Sequence, residues 1–178
     1  MDISRLYSDI ETQGALPPVE TWHPPFCGDI DMRIAHDGTW HYNGSPIARP
    51  ELVRLFARIL RQEEDAYFLV TPVEKVGITV EDVPFIAVEI EVTDGALTFR
   101  TNVGDRVTAD AAHPLRFDAG DEGFKPYILV RSGLEARLSR TLAQDLAGLG
   151  QIAEHDGRPW FGVYSSDLFF PVVPADSL

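Results

Sequence analysis

The first strong pattern in the chain is an alternation. Ile30, Met32 and Ile34 fall on one face of an extended segment while Asp29, Asp31 and Arg33 fall on the other, the period-two signature of a half-buried strand. His36-Asp37-Gly38 reads as a turn, because glycine readily takes the positive φ of a tight hairpin, and residues 39–42 return as the partner strand. Pro50 suits the first turn of a helix. Leu52, Val53, Leu55, Phe56, Ile59 and Leu60 recur at helical spacing and are predicted to form its buried stripe, with Arg54, Arg58 and Arg61 outside. Strands over residues 67–70 and 76–80 follow, linked by Thr71-Pro72-Val73-Glu74-Lys75.

The middle of the chain reads as a meander. Residues 85–92, the Asp94-Gly95 turn and residues 97–103 make the clearest hairpin, and Gly104-Asp105 turns into residues 106–108. His113-Pro114 and residues 118–125 interrupt the pattern. Strands are predicted again over residues 127–131 and 134–138. A helix over residues 141–149 then has Leu142, Leu146 and Leu149 inward and Gly150 as its stop. Residues 151–154 and 160–164 are strands on either side of His155-Asp156-Gly157.

Both halves thus show strand, strand, helix, strand, strand. The pattern predicts an α+β fold with a duplicated core: two β-β-α-β-β-like units joined by an antiparallel meander. The expected division is residues 1–28, 29–84 and 85–178. The first part is a helix carrying Ile3, Leu6, Tyr7 and Ile10, then a proline-rich connector holding Trp22 and Phe26, since four prolines deny it a helix. The second is an α+β domain, and the third is β-rich with one helix.

Composition narrows the function classes. A chain of 178 residues buries roughly 70% of its unfolded surface without staples. It carries 28 acidic against 15 basic residues, a net charge of −13. Binding along a phosphate backbone needs clustered Lys and Arg, so an extended nucleic-acid partner is not expected, and the same charge opposes an anionic membrane. Cys27 is the only cysteine, so no intrachain disulfide is possible and a reducing compartment fits. Residues 1–13 carry charges throughout, so no secretory signal is expected there. No stretch reaches the ~20 apolar residues of a membrane span. The expected location is cytoplasmic.

Candidate chemistry is sparse. His23, Cys27, Asp29, Asp31 and His36 are metal-ligand types, but they lack the paired spacing of a zinc site. Asp29 and Asp31 read as a solvated strand face, and neither a metal nor a cofactor is expected. Cys27 has no neighbouring cation to activate it and reads as a buried or neutral thiol. Ser132, Ser139, Ser165 and Ser166 show no partner base, and no phosphate-binding loop or nucleophile elbow is present. The reading leans away from an enzyme. The polar residues of 71–75 and 80–85, at the junction of the first unit with the meander, are more suggestive, with Arg100, Asn102, His113 and Arg131 in or beside the strands that follow.

At this point several motifs point the same way. Trp22-His-Pro-Pro-Phe-Cys-Gly-Asp-Ile-Asp-Met32, Asp37-Gly-Thr-Trp40, Pro46-Ile47, residues 71–75 and residues 80–85 resemble the proteobacterial domain-of-unknown-function family 1285. Thr101-Asn102, His113-Pro-Leu115 and Tyr127-Ile-Leu-Val-Arg131 are similar too. The resemblance implies a duplicated core whose C-terminal part is barrel-like, superficially like a pleckstrin-homology domain. It also implies a nucleotide-like ligand at the domain interface and a role in signal transduction, with no established activity. On that resemblance Glu74, Lys75, Asp82, Asn102, His113 and Arg131 are the expected ligand-binding residues. The leading expectation is a ligand-sensing or regulatory protein that takes a small anionic ligand. The alternatives are an interaction or adaptor module, as a homodimer, using Trp22 and Phe26, and a carboxylate-dependent metal enzyme built on Asp29 and Asp31.

Overall fold

Strands must pair through their edges, and this chain meets that demand twice with one topology. The computed structural model describes residues 14–120 and 123–178, so the helix expected around Ile3 to Ile10 lies outside the described residues. The chain divides into two units, residues 1–84 and 85–178.

The first unit contains β1 (Phe26–Ile34), β2 (Trp40–Tyr42), β3 (Ser45–Pro46), α1 (Pro50–Arg58), β4 (Leu60–Glu63), β5 (Ala66–Val70) and β6 (Lys75–Val80). Its sheet runs β3-β2-β1-β6-β5-β4. Two three-stranded antiparallel meanders are joined by the parallel pair of β1 and β6. The core lies on one face, where Met32, Ile34, Leu60, Leu69 and Val76 are buried, as are Leu55 and Phe56 of the helix.

The second unit repeats that sheet with β7 (Phe85–Thr93), β8 (Ala96–Thr101), β9 (Arg106–Thr108), β10 (Leu115–Gly120), β11 (Gly123–Arg131) and β12 (Leu134–Leu138). The order is β10-β11-β12-β7-β8-β9, and once more the first and sixth strands form the parallel joint. The fold is therefore α+β with a duplicated core, and the duplicated element is the six-stranded sheet. What differs is the helix. In the first unit it fills the crossing from third to fourth strand. In the second, α2 (Arg140–Gly148) follows the sixth strand and packs on β7, β11 and β12. It leads to a separate antiparallel sheet of β13 (Gln151–His155), β14 (Arg158–Ser165) and β15 (Leu168–Pro174). With β9 and β10 as its edges, the second six-stranded sheet stays open and one sheet curls as a half-barrel.

Several local expectations are corrected. Helix α1 ends at Arg58, where the Ile59 amide turns back to Phe56 and Ala57. Leu60 and Arg61 belong to β4, paired with Leu69 and Phe68. Arg61 is consequently 6% exposed, not on a solvated helix face. The stretch expected as a break holds β10, in register with β11 from Leu115 opposite Ile128. Leu149 caps α2 and is exposed, because it follows the last turn that faces the sheet. Cys27 is exposed at the start of β1, with its thiol directed to the Pro25 carbonyl.

The C-terminal sheet is tied to the rest of its unit through Ser165 and its neighbour Ser166, whose hydroxyl donates to the Ala109 carbonyl at 3.1 Å and whose amide donates to the Gly95 carbonyl at 3.0 Å. Ser165 is fully buried, donates to the Ala109 carbonyl at 2.6 Å and accepts from the Leu97 amide at 2.9 Å. Removing one partner of a buried pair leaves the other desolvated. Ser165→Ala is expected to cost about 1–3 kcal/mol in urea unfolding. Gly162 tests a steric limit in the same sheet, since a Cβ there would lie 2.4 Å from the Phe170 carbonyl oxygen. Gly162→Ala is expected to cost roughly 1–3 kcal/mol as overpacking; an unchanged midpoint in Ser165→Ala would overturn the attachment, and one in Gly162→Ala the close packing of β14 on β15.

Candidate functional site

Residues paired across antiparallel strands point their side chains to the same face. In the first unit Arg61 lies opposite Phe68, and Phe68 opposite Gly77, two residues from Lys75. Arg61, Glu63, Phe68 and Lys75 therefore share the face away from the core. The parallel joint sets Phe26 opposite Lys75 on the other side. This face is half covered by the proline-rich connector, whose one turn of 3-10 helix, Val19–Thr21, lies against β4.

The resulting corner is polar and aromatic. The Lys75 ammonium lies 4.8 Å from the Phe68 ring centre and 6.0 Å from that of Phe26, and the two rings meet edge to face at 5.9 Å. Glu63 Oε2 accepts from Lys75 Nζ at 3.1 Å, and Glu63 Oε1 accepts from the Arg61 guanidinium. Arg61 also donates to the carbonyls of Val19 at 2.9 Å and Trp22 at 2.8 Å. Burial pushes the Glu63 carboxyl upward, but hydrogen bonds from Lys75 and Arg61 and their charges outweigh it and hold it below the usual carboxylate range. Side-chain exposure grades from 7% at Arg61 through 19% at Lys75 to 37% at Glu63. Phe26 and Val73, by contrast, are more than half exposed.

Glu74 precedes Lys75 in a turn pinned by Thr71, whose hydroxyl accepts from the Glu74 amide at 3.1 Å. Its Oε2 is buried without a hydrogen bond among the described residues. Asp82 lies beyond the far end of β6, about 20 Å along the strand from Lys75 at roughly 3.3 Å per residue. The first unit thus brings Glu74 and Lys75 together and leaves Asp82 apart.

In the second unit Asn102 closes the start of the sheet. Its Oδ1 accepts from the Ile86 amide at 3.0 Å, while its own amide donates to the Ile86 carbonyl at 2.8 Å. Arg131 Nε donates to Asp105 at 3.3 Å, and its guanidinium lies 5.2 Å from the Phe85 ring centre. Asn102 and Arg131 accordingly meet around the first two residues of β7. His113 sits in the turn before β10, where its amide donates to Asp110 and its Nδ1 lies 3.1 Å from the Leu129 carbonyl. A carbonyl only accepts, so Nδ1 carries the proton.

Asp29 and Asp31 are both exposed on β1, and Asp29 fills the space over Gly77 that a side chain there would need. Among the described residues no three metal-ligating side chains gather. No helix among them is long and apolar enough to cross a membrane. Glu63, Arg61 and Phe68 are the members of the corner that sequence reasoning missed. Their signal is the alternation Arg61, Glu63 against Leu60, Gln62, whose first two residues the helical reading takes as the end of the helix.

Fold and corner together define a duplicated-sheet α+β protein with a cation-rich, aromatic edge on its first unit. The models of domain of unknown function DUF1285 match over nearly its whole length, the N-terminal domain at residues 17–83 and the C-terminal domain at residues 84–172. The chain belongs to the DUF1285 family. The crystal structure of a DUF1285 family protein from Silicibacter pomeroyi DSS-3 is 46% identical, with a TM-score of 0.90 over 98% of this chain and 96% of that one. One from Shewanella baltica OS155 is 30% identical, with a TM-score of 0.56 over 66% of this chain and 90% of that one. No curated protein matches the chain.

Paired carboxylates, Glu63 and Glu81 among them, contribute to the response to acid. Glu81 accepts from the His36 amide at 2.7 Å and from Arg33, and these bonds hold its carboxyl below the usual range against a smaller opposing effect of burial. A carboxyl whose folded pKa is depressed contributes stability above its unfolded pKa and loses it as pH falls through the folded value. The melting temperature is expected to fall below about pH 4.3, the ordinary Glu value. Glu63→Gln and Glu81→Gln should each lower it at pH 7 and flatten the acid limb. Melting curves that keep the wild-type slope would show these pairs are not the groups that titrate.

Proposed function

We propose that the protein is a ligand-sensing, regulatory protein whose first unit takes a small anionic, nucleotide-like ligand at the corner of Phe26, Phe68 and Lys75. One observation carries the reading: Arg61 and Lys75, both largely covered, share the single carboxylate of Glu63, in a chain of net charge −13. Two cations divide the one carboxylate of Glu63, and partial burial makes that division costly. An incoming phosphate or carboxylate at Lys75 relieves it. Lys75 has three donors with which to meet it.

The aromatic part sets the rest of the ligand. Phe26 is 55% exposed beside Lys75, so a planar ring can lie against it while its anion reaches the ammonium. A long polyanion is disfavoured by the net negative field, whereas a small anion is governed by the local charge. A second reading, an interaction surface for another protein, is favoured by the exposure of Phe26 and Val73 on the same edge.

Thermal-shift titration with nucleoside monophosphates and diphosphates tests the first reading, since a ligand bound only by the folded form stabilises it by about 2.7 kcal/mol at a hundred times its Kd. Lys75→Met is expected to remove the shift. Phe26→Ala should weaken binding of the nucleotide while sparing inorganic phosphate. A wild-type midpoint unmoved by any of these anions at millimolar concentration would overturn the proposal. Sedimentation at rising concentration tests the second reading, which a strict monomer with no co-purifying partner would exclude.

A further inference from the structure

Arg61 does two things at once. One terminal nitrogen of its guanidinium spans the carbonyls of Val19 and Trp22, 2.9 and 2.8 Å away, and the other bonds Glu63. These two carbonyls bracket the 3-10 turn Val19–Thr21, whose internal bonds run from the Thr21 amide to Pro18 and from the Trp22 amide to Val19. Val19 is buried, and the chain just before the turn is held by Arg58, which donates to the Ala15 carbonyl at 2.7 Å. The connector is thus fastened by two arginines gripping its backbone, Arg58 from the end of α1 and Arg61 from β4, and the deeper of the two, Arg61, depends on Glu63 for its counter-charge.

Glu63 has a second customer in Lys75, which reaches both of its oxygens, at 3.1 and 3.4 Å. We propose that Glu63 is a shared counter-ion that couples occupation of Lys75 to the hold on the Val19–Thr21 turn. The inference rests on the reading of the corner as an anion site. An anion that takes up Lys75 leaves the Glu63 carboxylate to Arg61 alone. The guanidinium is then fixed by an undivided charge-assisted bond, and so are the two carbonyls it grips. The ligand itself touches β6 and β1. Its signal emerges at the connector, through three side chains in direct contact, which is the kind of contiguous path that coupling between sites requires.

Hydrogen exchange at the Thr21 and Trp22 amides reads the hold directly, in the full chain. Glu63→Gln strips the buried guanidinium of its counter-charge and is expected to speed both amides by about tenfold or more, the worth of one hydrogen bond to a buried charged group. Inorganic phosphate and a nucleoside monophosphate should slow both amides in the wild type and leave them unchanged in Lys75→Met. That second variant keeps Arg61 and Glu63 intact, so it reports even where Glu63→Gln fails to fold. The two ideas fail separately. Anions that shift the melting temperature without altering exchange at Thr21 and Trp22 overturn the coupling and leave the site standing. Anions that shift nothing overturn the site, and the coupling with it. Equal exchange in folded Glu63→Gln and wild type also overturns the coupling, whatever the anions do.

Discussion

Each half of this molecule depends on one parallel strand pair. Antiparallel neighbours can be joined by two residues, but parallel neighbours need a long crossover. In both sheets the first and sixth strands make that pairing, at the centre, with a three-stranded meander on each side. The other strand pairs are antiparallel and mostly local. Remove the parallel ladder and each sheet falls into two meanders of three strands, each with a new open edge. The position of the helix is secondary by comparison, since it stands at the crossing in one unit and after the sheet in the other.

The same pairing builds the polar corner. Lys75 begins β6 and faces Phe26 because the joint is parallel and in that register. Glu63 reaches Lys75 because β4 and β5 bring it back along the same face. A face turned from the core would ordinarily be solvated. Here the connector covers part of it, which is why an arginine can be buried on the outer side of a sheet, with backbone carbonyls and one carboxylate in place of water.

How much of this was legible from residue order depends on the range of the interaction. Asp94-Gly95 and Asp156-Gly157 are tight turns with positive φ at both positions, as the residues require. Asn43-Gly44 uses the same chemistry to close β2 on β3, but a two-residue strand carries no alternation to reveal it. Strands β1, β7, β8 and β12 showed their period of two. Leu60 and Arg61 did not, because Ile59-Leu60 continues the helical stripe and only the ladder to Leu69 and Phe68 decides otherwise. Lys75 was singled out as a polar residue near a junction. Its partner Glu63, twelve positions away, ends a strand whose first two residues continue the helical pattern. Hydrophobic period reports which face a residue takes, and not which strand lies beside it.

The parallel joint has one more effect. A sheet whose first and last strands run side by side in the same direction is entered at one end and left at the other. The chain need not double back across the sheet before a new element is added. Such a unit can be copied in tandem with a short linker, and an insertion can be accepted at its crossover or after its last strand without breaking a ladder. Gene duplication followed by separate elaboration of the two copies, a helix within one and a helix with three extra strands after the other, is the history this wiring makes easy.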